Sequence, residues 1–321
     1  MEPLVSVRDL DVSFLSYRGI VHALQGINVD INYGETVGLV GETGCGKSTL
    51  GLAIVRLVPH PGIIERGEIY FEGEDILKKS EDEMRAIRRE KMSMIFQDPT
   101  TSLNPVFRIG DQIAESVMLT HDVKKDEAMA RAVELLTMVG IPDPEKVVKQ
   151  YPHELSGGMK QRAMIAMALS HNAKLLIADE PTSSLDVTIQ AQILELMRDM
   201  QKKTGMTVLL ITHDMGVVAQ TCDRVVVMYA GNVVEAGTVH DIFKKTRHPY
   251  SKGLLAAVTL HEEEKRLRTI PGSVPDLIEI PPGCPFSPRC EYVMDKCKKE
   301  KPKLYEVEPG HLVACYLEGE L

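Results

Sequence analysis

Gly41-Glu-Thr-Gly-Cys-Gly46-Lys47-Ser48-Thr49 decides how this chain is read, because it fits the phosphate-loop pattern G-x4-G-K-[S/T] in full. It follows INVDINYGETVGLVG, an alternating apolar stretch that reads as strands ending in a glycine turn. It opens a helix expected from Ser48 to about Leu57. Gly41, Gly44 and Gly46 let backbone N–H groups turn toward one anion, in a cradle that also contains Thr43, Cys45 and Thr49. The helix start adds its partial positive charge. Lys47 is placed to reach the β- and γ-phosphates of ATP, and the Ser48 hydroxyl to ligate Mg²⁺. A chance glycine turn would not bring strand, helix and Lys-Ser together.

KLLIADEP, ending at Pro181, supplies the matching half. A short apolar run closed by acids is the pattern of a buried parallel strand. Asp179 is expected beside the loop, holding Mg²⁺ through water. Glu180 is the natural general base for an attacking water. TVLLITHD, ending at Asp214, is a second such strand, and VTIQAQILELMRDMQKKTG between the two reads as an amphipathic crossover helix.

The 321 residues, 44% of them hydrophobic, suffice for one large domain with a smaller one appended. The net charge of −9 argues against a general nucleic-acid binder. No stretch has the charge-free apolar length of a bilayer span, and the opening MEPLVSVRDL lacks a basic n-region, so a cytoplasmic placement is expected, with any membrane role exerted through partners.

Outward from the loop, LVSVRDLDVSF alternates like a strand and GEIYFEGEDI like an edge hairpin. The pattern turns helical from about residue 80 to 170: SEDEMRAIRREK, IGDQIAESVML, and KKDEAMARAVELLTMVG with a stop at Gly140 and Pro142. DRVVVMYAGNVVEAG reads as a hairpin. Beyond Tyr250, Pro271, Pro275, Pro281, Pro282, Pro285 and Pro288 mark an irregular tail, which places a boundary near 250.

A phosphate loop alone does not separate kinases, GTPases, helicases and transporters. Leu155-Ser-Gly-Gly-Met-Lys-Gln-Arg162 does, since it resembles the ABC signature LSGGQ with Met159 in the place of Gln. Ser156 and the amides of Gly157 and Gly158, at a helix start, form a second anion cradle. The chain is thereby similar to ABC ATPases from residue 1 to about 250. The resemblance implies an α/β phosphate-loop ATPase with an antiparallel β subdomain, a helical subdomain over about 98–170, and a small irregular cysteine-bearing extension over 251–321. It also implies that the signature completes the site of a second subunit in a head-to-tail pair. Three further matches are implied: Gln97, after the apolar SMIF, as the Q-loop residue sensing Mg²⁺; Ser183-Ser184-Leu185-Asp186 as the D-loop; and His213 as the switch histidine on the γ-phosphate. Tyr17 is the expected adenine-stacking aromatic, with Phe14 as competitor and core packing able to explain either.

QDPTTSLNPVFRIGDQI and the tail starting at His248-Pro249-Tyr250 resemble the dipeptide/oligopeptide branch of ABC importers, in its D-type ATPase. In that branch the helical segments after Gln97, Asp98 to Val117 among them, would form a groove that receives a permease coupling helix. The implied assembly contains a second ATPase subunit, a paralogue rather than an identical chain, two transmembrane permease subunits and an extracellular solute-binding protein. This chain would lie peripherally on the cytoplasmic face of the membrane. Solute choice lies with other subunits, so dipeptides, oligopeptides, nickel and sugars all stay open. A soluble ABC ATPase of repair or translation would carry long coiled-coil insertions or tandem halves. An iron–sulfur sensor that merely binds nucleotide would not need Lys47, Asp179, Glu180 and His213.

Cys284, Cys290, Cys297 and Cys315 follow a C-x5-C-x6-C-x17-C spacing. Zinc knuckles use tighter pairs, whereas the wide gaps suit an iron–sulfur cluster wrapped by irregular backbone. The branch resemblance likewise implies a four-iron four-sulfur cluster, with zinc as the alternative. Its role would be to stand in for a core in a segment too short to build one. Cys45 and Cys222 are expected to be small packing residues.

Overall fold

The computed structural model describes residues 2–171, 173–183, 185–258 and 270–317. Its strands are β1 (Val5–Ser16), β2 (Gly19–Ile31), β3 (Thr36–Val40), β4 (Gly62–Phe71), β5 (Glu74–Asp75) and β6 (Met92–Ile95). These are followed by β7 (Leu175–Asp179), β8 (Thr207–Ile211), β9 (Arg224–Tyr229), β10 (Asn232–Thr238), β11 (Tyr305–Glu308) and β12 (His311–Val313). The chain forms two compact units, one of residues 1–78 with 210–321 and the other of residues 79–209; the division falls inside β8.

In the first unit, β2, β1, β4 and β5 make an antiparallel sheet in that order. Alternation drives it: Val5, Val7, Leu10 and Val12 of β1 are all buried. The step from Val7 to Leu10 breaks strict alternation because the register shifts there, at Asp9 with φ 45°. A second sheet runs β11-β12-β10-β9-β3. Here β3 pairs in parallel with β9, from Val37 opposite Arg224 to Val40 opposite Val227. Both strands are continuous apolar runs because both their faces are covered. β10 returns antiparallel to β9, and the β11–β12 hairpin of the tail adds to β10. Tyr229, Tyr250 and Phe286 share one apolar cluster with Cys284 and Cys297, so the proline-rich tail packs on the same core as the loop-bearing strand β3.

The helix after the loop runs Lys47–Ile54 and stops before the expected Leu57. Arg56 takes φ 53°, a left-handed conformation that ends a helix, and its guanidinium donates to Ile76 O at 2.9 Å. The short hairpin of β4 and β5 matches its sequence pattern.

In the second unit, β6 and β7 pair in parallel, Met92 opposite Leu175 through Ile95 opposite Ala178. The helix Glu81–Lys91 starts at a capping box, where Ser80 accepts from the Glu83 N–H and the Glu83 carboxylate accepts from the Ser80 N–H. Acids fill its first turn and bases its last, matching the helix dipole. Ile109–Thr120 packs on Lys125–Met138, and both pack on Gly157–Ala168. The helix Val187–Thr204 ends at Gly205, φ 70°. Among the described residues, no helix is long and apolar enough to cross a membrane.

Candidate nucleotide site

The loop leaves β3 through Gly41 at φ 152°, where a Cβ would lie 2.2 Å from Met228 O. Only glycine fits there. At Gly46, φ 102°, a Cβ would meet Ala23 O at 2.5 Å. The helix Lys47–Ile54 begins without a side-chain cap, which leaves its first amides directed at the hollow of the loop. Lys47 is buried, and its ammonium donates to Gly41 O at 2.7 Å and Glu42 O at 3.1 Å, spanning the loop from which it springs. Thr43 and Gly44 are exposed at the tip, while Ser48 and Thr49 are half-buried. The Cys45 side chain is fully buried, and burial pushes its thiol above the usual range despite the nearby Lys47 ammonium. It is therefore the Cys45 backbone, with its carbonyl taken by Gly231 N–H, that shapes the loop.

His213 belongs to the same unit. Thr212 N–H donates to Leu39 O at 3.2 Å, so the residue after Thr212 emerges beside the strand that feeds the loop. His213 is exposed there, and Asp214 caps the helix Met215–Thr221 behind it. Tyr17, at the turn between β1 and β2, is 98% exposed. Core packing accordingly explains nothing about Tyr17. It does explain Phe14, whose ring bears on Gly62.

Gln97, Asp179, Glu180, Ser156, Gly157, Gly158 and Asp186 all lie in the second unit. Asp179 is the buried last residue of β7, and Glu180 follows at φ 46°. Gln97, just past β6, donates to the Glu180 carboxylate at 3.2 Å. The parallel pairing of β6 with β7 thus brings the Q-loop residue to the expected base. Ser156 caps the helix Gly157–Ala168 by accepting from Met159 N–H at 3.3 Å, and Ser156 and Gly157 stay exposed. Asp186 caps Val187–Thr204 through Ile189 N–H. Ser184 of the D-loop expectation lies outside the described residues.

Two contacts escaped the motif reading. Gln161, fully buried, donates to Pro181 O at 2.7 Å and ties the signature helix to the turn after Glu180. Glu42 is held from two sides by the C-terminal region: its N–H donates to the Tyr250 hydroxyl at 2.8 Å, and its carboxylate meets the Arg289 guanidinium at 2.6 and 3.0 Å. A buried glutamine inside the signature was the available signal for the first. The second had none, because its partners are 208 and 247 residues away.

The four tail cysteines line one small apolar cavity with His248, Phe286 and Tyr316. Cys284, Cys297 and Cys315 are buried and Cys290 half-buried, and none of the four is in a disulfide. Burial pushes the Cys284 thiol up to about 11. Among the described residues, no group of three or more His, Cys, Asp or Glu converges to hold a metal ion. The packing expectation for Cys222 agrees with its burial against Gly38, which pushes its thiol up to about 12.

Residues 24–183 match the family model described as ABC transporter, and residues 234–297 match the C-terminal region of oligopeptide/dipeptide transporters. The chain is 52% identical to an oligopeptide transport ATP-binding protein of Bacillus subtilis over 98% of its own length and 88% of the relative's. This chain belongs to the ATP-binding subunits of ABC transporters, in the oligopeptide/dipeptide branch. It is also 48% identical to a dipeptide transport ATP-binding protein of Bacillus subtilis, over 100% of this chain and 96% of that one. Among solved structures, this ABC subunit is similar to the dimeric post-hydrolysis state of an ATP-binding cassette bound to ADP and phosphate. That likeness has a TM-score of 0.68 at 28% identity and covers 73% of this chain and 98% of that chain. The fold is that of a phosphate-loop ABC ATPase, as its motifs led one to expect.

Proposed function

We propose that this ABC subunit hydrolyses ATP to energise import of dipeptides or oligopeptides through a membrane permease. The carrying observation is one pair: Gln97 Nε2 donates to Glu180 Oε2 at 3.2 Å, at the ends of two adjacent parallel strands.

 

That contact fits a carboxylate poised as general base with an amide to orient it.

In this reading Gly41, Thr43, Gly44, Cys45, Gly46 and Thr49 present the loop amides to the phosphates, Lys47 neutralises the β- and γ-oxygens, and Tyr17 stacks on adenine. Ser48, Asp179 and Gln97 would hold Mg²⁺, which would supply charge neutralisation at the phosphates. Glu180 takes the proton of the attacking water while His213 bonds the γ-phosphate. Ser156, Gly157 and Gly158, with Asp186 beside them, act on the nucleotide of a second ATPase subunit. The exposure of Ser156, Gly157 and Asp186 supports this, because groups meant for a partner's ligand must face outward. Residues 1–250 serve as the nucleotide-binding domain and 251–321 as the extension. Two permease subunits, an extracellular binding protein and a paralogous ATPase complete the importer, with this chain on the cytoplasmic face of the membrane. In vesicles carrying that assembly, Glu180→Gln should keep ATP binding and lose nearly all turnover and peptide uptake. Near-normal hydrolysis by the variant refutes the base assignment.

A four-iron four-sulfur cluster on Cys284, Cys290, Cys297 and Cys315 is part of the same proposal. That all four cysteines line one small apolar cavity supports it. Those thiols must lose their protons on assembly. Anaerobically purified protein should contain iron and acid-labile sulfide, both lost in Cys297→Ser; iron-free protein that folds and functions normally overturns this part.

A further inference from the structure

Glu42 places a carboxylate inside a loop that has to receive a triphosphate. Both its carboxylate oxygens are engaged by Arg289, Nη1 to Oε2 at 2.6 Å and Nη2 to Oε1 at 3.0 Å. Arg289 itself is held in place. Its Nε donates to Pro271 O at 2.8 Å, Nη2 to Ile270 O at 3.3 Å and Nη1 to the Tyr229 hydroxyl at 3.3 Å. Its guanidinium also lies 5.7 Å from the Tyr229 ring centre and 6.0 Å from that of Phe286. The Arg289 side chain is only 5% exposed and that of Glu42 28%, so solvent screens the pair weakly. On the same residue, Tyr250 accepts the Glu42 N–H and Lys47 bonds the Glu42 carbonyl. Backbone and side chain of the loop's second residue are thus fixed together, by Lys47 of the loop itself, by Tyr250 at the boundary and by Arg289 of the C-terminal extension.

We infer that Arg289 is a positioning residue for nucleotide binding: it neutralises the Glu42 carboxylate and fixes the entry of the phosphate loop, so that the loop presents amides and Lys47 to ATP without an opposing charge. Arg289 lies next to Cys290, so the cysteine-bearing segment delivers this charge to the loop. The inference rests on reading residues 41–49 as the triphosphate site.

The test is a double-mutant cycle on the full chain, reading the dissociation constant of MgATP. In the otherwise unchanged chain, Arg289→Ala should weaken MgATP binding about tenfold, the scale of one unpaired charge near the phosphates. In the Glu42→Gln background the same change should cost less than about twofold, because no carboxylate is left to neutralise. An equal loss in both backgrounds, or none in either, overturns the inference; the first would make Arg289 a prop for the tail alone. Should Arg289→Ala fail to fold, Arg289→Gln, which keeps donors for the Pro271 and Ile270 carbonyls, carries the same comparison. Failure of the unaltered chain to bind MgATP would instead remove the proposed function.

Discussion

The phosphate loop and the cysteine-bearing tail are both irregular stretches in one compact unit, yet they are held in opposite ways. The loop takes its shape from its own residues, with Tyr250 and Arg289 fixing only Glu42 at its entry: Gly41 and Gly46 take conformations that exclude a Cβ, and Lys47 bonds two loop carbonyls. The tail is shaped by side chains from elsewhere. Phe286 stands edge-on to Tyr229 at 5.2 Å and tilted to Tyr250 at 5.4 Å, while Arg289 reaches back to Glu42. A backbone-shaped site should fail through changes of local conformation, and a side-chain-shaped one through loss of packing.

The largest expected effect falls on the tail. Phe286→Ala empties the aromatic cluster and should cost about 3–5 kcal/mol of stability, measured by chemical denaturation. A smaller change than about 1 kcal/mol would show that the tail is not anchored by packing. Next, Lys47→Ala should lower ATP turnover by about 100- to 1,000-fold with little change in melting temperature, the reverse of the Phe286 pattern. Gly41→Ala should cost about 1–3 kcal/mol from backbone strain and contact with Met228 O, and weaken ATP binding too; an unchanged Kd would break the claim that the loop is coded by its backbone. Smallest is Ser80→Ala, which removes a capping bond remote in sequence from either region. It should cost about 1 kcal/mol and leave ATP binding intact, as equilibrium unfolding and titration would show.

The same contrast explains what could be read in advance. The helices Glu81–Lys91, Ile109–Thr120 and Lys125–Met138 were legible from their helical pattern, the last also from its stop at Gly140, whereas the Ser80–Glu83 capping box emerged only in the structure. The strand–loop–helix around Gly41 was legible because adjacent residues build it. The early end of the helix at Ile54 was not, since it depends on the left-handed Arg56 and its bond to Ile76 O. Nor were the anchors of the loop. Glu42 looks like a free loop residue until Arg289 is brought across 247 positions of sequence, and Gln161 looks like a helix surface residue until it meets Pro181 O. The fully buried pair of His311 with Glu235, 2.8 Å apart, is of the same kind. Local periodicity carries no record of such long-range side-chain bonds.

The most direct test of the whole account is the fate of ATP on the Glu180→Gln chain mixed with its partner ATPase and permease. The account predicts a stable paired species that retains unhydrolysed ATP through size-exclusion chromatography, and that no longer forms when Ser156 of this chain, facing the partner's nucleotide, is replaced by a bulky residue. A chain that binds ATP under these conditions yet never pairs, or that hydrolyses it at the normal rate, would contradict the account.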